Sequence, residues 1–112
     1  MIDLGFVVEE RGDATVLAVS GEVDMATAPQ LRERLHALLA DGPSYVVVDL
    51  DGVGFLDSTA LGVLVGSLKR ARSAGGDLVL VCSVPQIRRV LEITGLDRAF
   101  ATYENVPDAL AG

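Results

Sequence analysis

Cysteine and histidine occur once each in the 112 residues, as Cys82 and His36; tryptophan is absent, and Lys69 is the only lysine. A lone thiol forbids an internal disulfide. With a lone imidazole it leaves almost nothing from which to build a structural zinc site or a Cys–His catalytic pair. Nine basic side chains against sixteen acidic ones give a formal charge of −7, the wrong sign for a phosphate-backbone footprint, so no nucleic-acid partner is expected. Apolar runs such as Tyr45 to Val48 stop far short of the ~20 residues a membrane span needs. The amino terminus lacks a charged-then-apolar leader, so a soluble, cytoplasmic chain without membrane insertion is expected. No cofactor is expected either: Gly52-x-Gly54 lacks a third glycine and no Walker lysine follows.

Half the residues are apolar, enough for one domain with one core over residues 1–112. Glycine and proline fall singly between periodic segments, with no repeat or low-complexity tract. Two β-prone runs between Gly5 and Val19 flank Arg11-Gly12-Asp13 and predict an antiparallel hairpin. Thr27-Ala28-Pro29-Gln30, Ser83-Val84-Pro85-Gln86 and Asn105-Val106-Pro107-Asp108 each place a capping side chain ahead of a proline that starts a helix without interrupting it. Tyr45 to Leu50 and Leu78 to Cys82 are continuous apolar runs, as in parallel strands covered on both faces. Leu61, Leu64, Val65, Leu68 and Ala71 recur at helical spacing after Ser58, and Gly75 ends that helix. The order β-β-α-β-α-β-α, with a short strand near Phe100 and a last helix from Val106, predicts an α/β domain with a mixed β-sheet, an N-terminal antiparallel hairpin and alternating β-α units. Cys82 reads as core filling. His36, sharing a stripe with Arg32 opposite Leu31, Leu35 and Leu38, reads as solvated.

The segment DGVGFLDS, Asp51 to Ser58, reads as a loop that presents Ser58 at a helix start, with Phe55 and Leu56 tucked beneath it. Either Ser58 or Asp57 simply caps that helix, or the loop offers the hydroxyl to an enzyme. A phosphate there would cost the fold little, because unpaired amides and the helix dipole favour negative charge at that end. Right-handed crossovers make Asp24 a neighbour of Ser58, and Asp24, Asp49, Asp51 and Asp57 are expected at one sheet edge. These are either solvated loop acids or the acidic setting of a switch, in which an added charge of about −1.5 to −2 would repel an acidic partner. Gly62, Val63, Gly66 and Ser67 form a low surface away from the leucine stripe, either a docking face or the seat of a neighbouring helix of the same chain.

Each catalytic reading of these residues lacks a part. The run Val46 to Gly52 looks like the nucleophile motif of haloacid-dehalogenase-type phosphatases, with Asp49 as nucleophile, yet the chain is short for that family and lacks a later acidic pair. Asp49 at a strand end is also similar to receiver-domain phosphoacceptors, but the lysine those sites use has no counterpart after Cys82. A serine hydrolase would need a base near Ser58, and His36 is a poor one.

Taken in order, Gly21-Glu22-Val23-Asp24 with Thr27-Ala28, Leu31-Arg32, the strand into Asp49, Phe55-Leu56-Asp57-Ser58-Thr59, Leu61-Gly62, Gly75-Gly76 and Leu91 to Leu96 resemble the anti-sigma factor antagonists, stand-alone bacterial STAS domains. The resemblance spans essentially the whole chain. It implies a STAS fold and a partner-switching role without catalysis. The unphosphorylated protein would bind an anti-sigma factor that is itself a serine/threonine kinase and so free the sigma factor. Phosphorylation at Ser58 would end binding, and a metal-dependent serine phosphatase would restore it. Asp24, Asp57, Thr59, Gly62, Val63 and Gly66 would surround the phosphosite and partner face. Ala60 departs from the family's usual glycine. The other role open to a STAS domain is as a subunit of a lipid-trafficking or other transport complex.

Overall fold

A computed structural model describes residues 3–112, so residues 1 and 2 of the expected domain lie outside the described residues. The hairpin forms as the sequence predicts, from β1 (Gly5–Arg11) and β2 (Ala14–Val23). Gly12 takes φ +63° in the turn between them, a left-handed conformation that costs glycine little. Next come α1 (Ala28–Leu39), β3 (Tyr45–Leu56), α2 (Ser58–Ser73), β4 (Asp77–Val81) and α3 (Pro85–Ile93). The chain then adds α4 (Leu96–Ala99), a single turn the sequence did not announce, followed by β5 (Thr102–Tyr103) and α5 (Val106–Ala111).

The five strands lie in sequence order, β1 antiparallel to β2 and the rest parallel. Because each parallel strand is laid beside the last in one direction, successive right-handed crossovers put α1, α2 and α3 on the same face. Alternation along the strands divides the core accordingly. Leu17, Val46, Val48, Leu50, Leu78 and Leu80 face those helices and meet Leu31, Leu35, Leu64, Leu68, Ile87 and Leu91. Val16, Val47, Val79 and Val81 face the other way and are covered by α5 through Ala109, Val106 and Leu110. The Tyr45 hydroxyl, donating to the Ala109 carbonyl at 3.0 Å, ties α5 to the sheet. Cys82 is buried in the first core, as its place in an apolar run suggests.

The largest departure from the sequence reading lies in DGVGFLDS. It is no loop: β3 runs on to Leu56, paired with β2 from Ser20↔Gly52 to Val23↔Leu56. Two register shifts interrupt that pairing, and Leu50, Val53 and Leu56 are buried at intervals of three rather than two. Each extra residue restores the next apolar side chain to the core, at the cost of the period that marks a strand. Phe55 points outward and is 47% exposed, so only Leu56 serves as the expected anchor.

Helix starts also differ in detail. Asn105 caps α5 by accepting from the Asp108 amide at 2.9 Å. Thr27 and Ser83 make no such bond to their helices. Thr27 Oγ1 donates to the Glu22 carbonyl at 2.7 Å, and Asp24 accepts the amides of Ala26 and Thr27 at 2.9 and 3.0 Å in its stead. Ser83 donates from its amide and hydroxyl to Asp51, 2.7 and 3.1 Å away.

Candidate functional site

Strands β2 and β3 end together, Val23 opposite Leu56, and both chains turn into helices from that point. The Asp57 amide donates to the Val23 carbonyl at 3.1 Å, which fixes the second turn against the first. Asp57 then takes extended angles, and its carboxylate accepts the Ala60 amide at 3.0 Å, so Asp57 is the cap and Ser58 is the first helical residue of α2. Ser58 is exposed and its hydroxyl makes no hydrogen bond among the described residues. Its neighbour Thr59 is exposed as well. With the Ala60 amide taken by Asp57, the Ser58 and Thr59 amides are the unpaired donors of a sixteen-residue helix, whose dipole presents its positive end here. Chemically this is a free hydroxyl at a place where an anion is welcome.

Across from it, the Asp24 carboxylate is held below the usual carboxylate range, first by the Thr27 amide and then by that of Ala26, against some desolvation. Asp24 and Asp57 thus occupy matching positions in adjacent turns. Asp49 and Asp51 do not join them. Asp49 lies within the sheet opposite Ala18 and Val81 and accepts the Asp51 amide at 3.0 Å, while Asp51 is engaged by Ser83 at the start of α3. The expected edge of four carboxylates is therefore two separate pairs, because β3 continues past Asp51 to Leu56. Among the described residues no cluster of three or more His, Cys, Asp or Glu is placed to hold a metal ion.

Along α2, Gly62 and Gly66 are exposed, and a Cβ at either would meet nothing within 4 Å. Although α1 packs against α2, it does not close over these glycines. Together with half-buried Val63 they floor an open groove. Ser67, placed on this surface by the sequence reading, does line the groove but is buried within its wall. His36 also differs from expectation: it is half-buried and lines the groove with Arg32 and Arg70. Helical periodicity places a residue relative to its own helix and cannot say that the next helix stands beside it.

Residues 6–109, which take in both paired strand ends, the Asp57–Ser58 turn and most of α5, match the STAS domain family. The chain belongs to that family. This STAS domain is 36% identical to the anti-sigma-F factor antagonist RsfB of Mycobacterium tuberculosis over 106 residues, covering 94% of the chain and 85% of the relative. It is 40% identical to the anti-sigma-B factor antagonist of Staphylococcus aureus over 78 residues, 70% of the chain and 72% of that protein. A crystal structure of an anti-sigma factor antagonist from Mycobacterium paratuberculosis superimposes with a TM-score of 0.88 at 37% identity, covering 96% of this chain and 92% of that one. Both of these relatives are named as anti-sigma factor antagonists, and no helix among the described residues of this STAS domain is long and apolar enough to cross a membrane.

Two apolar side chains stand exposed near the turns, Met25, which the sequence reading passed over, and Phe55, which it placed as a buried anchor. Met25, 76% exposed, rides on the turn after β2, and Phe55 stands one residue before the paired strand ends. Phe55 could have been found only by recognising the register shifts. Met25 was legible as an apolar residue inside a polar turn, Asp24 to Thr27. Ala60 is fully buried in the core, so its methyl group faces away from the exposed surface of the turn.

Proposed function

We propose that this STAS domain is an anti-sigma factor antagonist whose binding is gated by phosphorylation of Ser58, and that it carries out no catalysis itself. The names of its relatives support the antagonist role. The observation that carries the gate is the exposed, unbonded Ser58 hydroxyl at the first position of α2. In this reading the unmodified face, made of Asp24, Asp57, Thr59, Gly62, Val63 and Gly66 with Met25 and Phe55 at its margin, seats an anti-sigma factor that is also a serine/threonine kinase. The phosphoryl group is accepted where the helix tolerates it. Its charge and hydration then oppose reseating of the partner, since an added charge of about −1.5 to −2 joins Asp24 and Asp57 at a surface that must be desolvated to bind. A metal-dependent serine phosphatase resets the switch.

Incubated with its cognate kinase and Mg-ATP, the protein should gain the mass of a single phosphate. Ser58→Ala should gain none while retaining its unfolding midpoint. Modification that persists in the Ala variant would place the switch on another residue.

A further inference from the structure

Beside the Ser58 turn, α1 and α2 enclose a groove of about 480 Å³ whose charge is opposite to that of the chain. Arg32 and His36 enter from α1 and Arg70 from α2, and no acidic side chain lines it, although the chain has sixteen acidic residues against nine basic ones. Among the described residues, ion pairs engage Arg11, Arg72 and Arg88, and leave Arg32 and Arg70 without a carboxylate. Their charge is felt locally: burial first, then Arg70 and Arg32, pushes the His36 pKa down, leaving a neutral ring with one N–H to donate. A further sign of a missing ligand is Ser67, which lines the groove, is 1% exposed, and has an Oγ without any hydrogen-bond partner. Buried hydroxyls are ordinarily paired, and an orphan beside two unneutralised guanidinium groups is a donor without an acceptor. Thr59 adds a second hydroxyl at the end nearer Ser58.

We propose that the groove between α1 and α2 binds a small, multiply charged oxyanion of the phosphate or sulfate class. Gly62 and Gly66 make room for it, since neither has an atom within 4 Å of where a Cβ would sit. Guanidinium groups supply paired, charge-assisted donors from two helices. Ser67, Thr59 and His36 supply the remaining donors, and the anion neutralises the local excess of positive charge. The site does not depend on Ser58 being a phosphoacceptor.

The test is an amide NMR titration of the full chain with sodium phosphate and with sodium sulfate, at ionic strength held constant with sodium chloride. Saturable shifts should cluster at Arg32, His36, Gly62, Gly66 and Arg70. Arg32→Gln and Arg70→Gln, both at exposed helical positions, should each weaken binding about tenfold or more, the range expected when one charge-assisted contact is lost. Ser67→Ala should weaken it about threefold with the rest of the spectrum unchanged. Shifts that chloride reproduces, or phosphate affinity that survives the combined Arg32→Gln and Arg70→Gln substitution, would overturn the proposal.

Discussion

Asp57 and Ser58 divide two tasks that a single residue often combines. A hydroxyl that capped α2 would be committed to a backbone amide, and phosphorylating it would remove the cap. Here Asp57 holds the Ala60 amide, leaving the next residue free. Asp57→Ala should therefore cost about 1 kcal/mol of unfolding free energy, the usual worth of a carboxylate or hydroxyl cap. Asp57→Ser, which keeps an oxygen acceptor, should stay within about 0.5 kcal/mol of the parent. Urea unfolding at unchanged m-value reads the difference. An Ala variant as stable as the parent would mean that the strand-end contact, the Asp57 amide on the Val23 carbonyl, positions the turn unaided.

At the scale of elements, what was legible follows from period and what was hidden follows from its interruption. The parallel strands announce themselves because Tyr45 to Leu50 and Leu78 to Cys82 are covered on both faces, and proline marks the starts of α1, α3 and α5. The extension of β3 stays hidden because Leu50, Val53 and Leu56 recur every third residue, a spacing that belongs to no regular strand. Ser83 reads as a cap because its acceptor, Asp51, lies thirty-two residues away in sequence. The candidate site was legible at Asp57-Ser58-Thr59, where capping chemistry is local, and illegible at Arg32 and His36, whose meaning depends on packing between two helices. The extension also makes a testable demand on its glycines. A Cβ at Gly52 would lie 2.9 Å from the Val19 carbonyl oxygen and 3.0 Å from the Ser20 Cβ, both fixed by the sheet, whereas one at Gly54 meets nothing within 4 Å. Gly52→Ala should destabilise by about 1–3 kcal/mol, as overpacking does, and Gly54→Ala by no more than about 0.5 kcal/mol. Equal midpoints in denaturant would show that the two strands are not held as closely as described.

Across the whole molecule, the proposed switch works because shape and charge are separable. Both cores lie against the sheet, one under α1 to α3 and one under α5, and Ser58 belongs to neither. A charge at Ser58 therefore changes the surface of a chain already carrying −7 without disturbing what holds it together. Ser58→Asp and Ser58→Asn distinguish this from a steric gate, since the two side chains are nearly the same size and differ by one unit of charge. Both variants should keep an unfolding free energy within about 0.5 kcal/mol of the parent, with Asp gaining about 0.3 kcal/mol from the helix dipole. Their partner affinities should part company: Asn should bind the anti-sigma factor nearly as the serine form does, and Asp should bind more weakly, with the gap narrowing as salt screens the exposed charge. Equal losses for Asn and Asp would make the gate one of volume, because only bulk is common to the two.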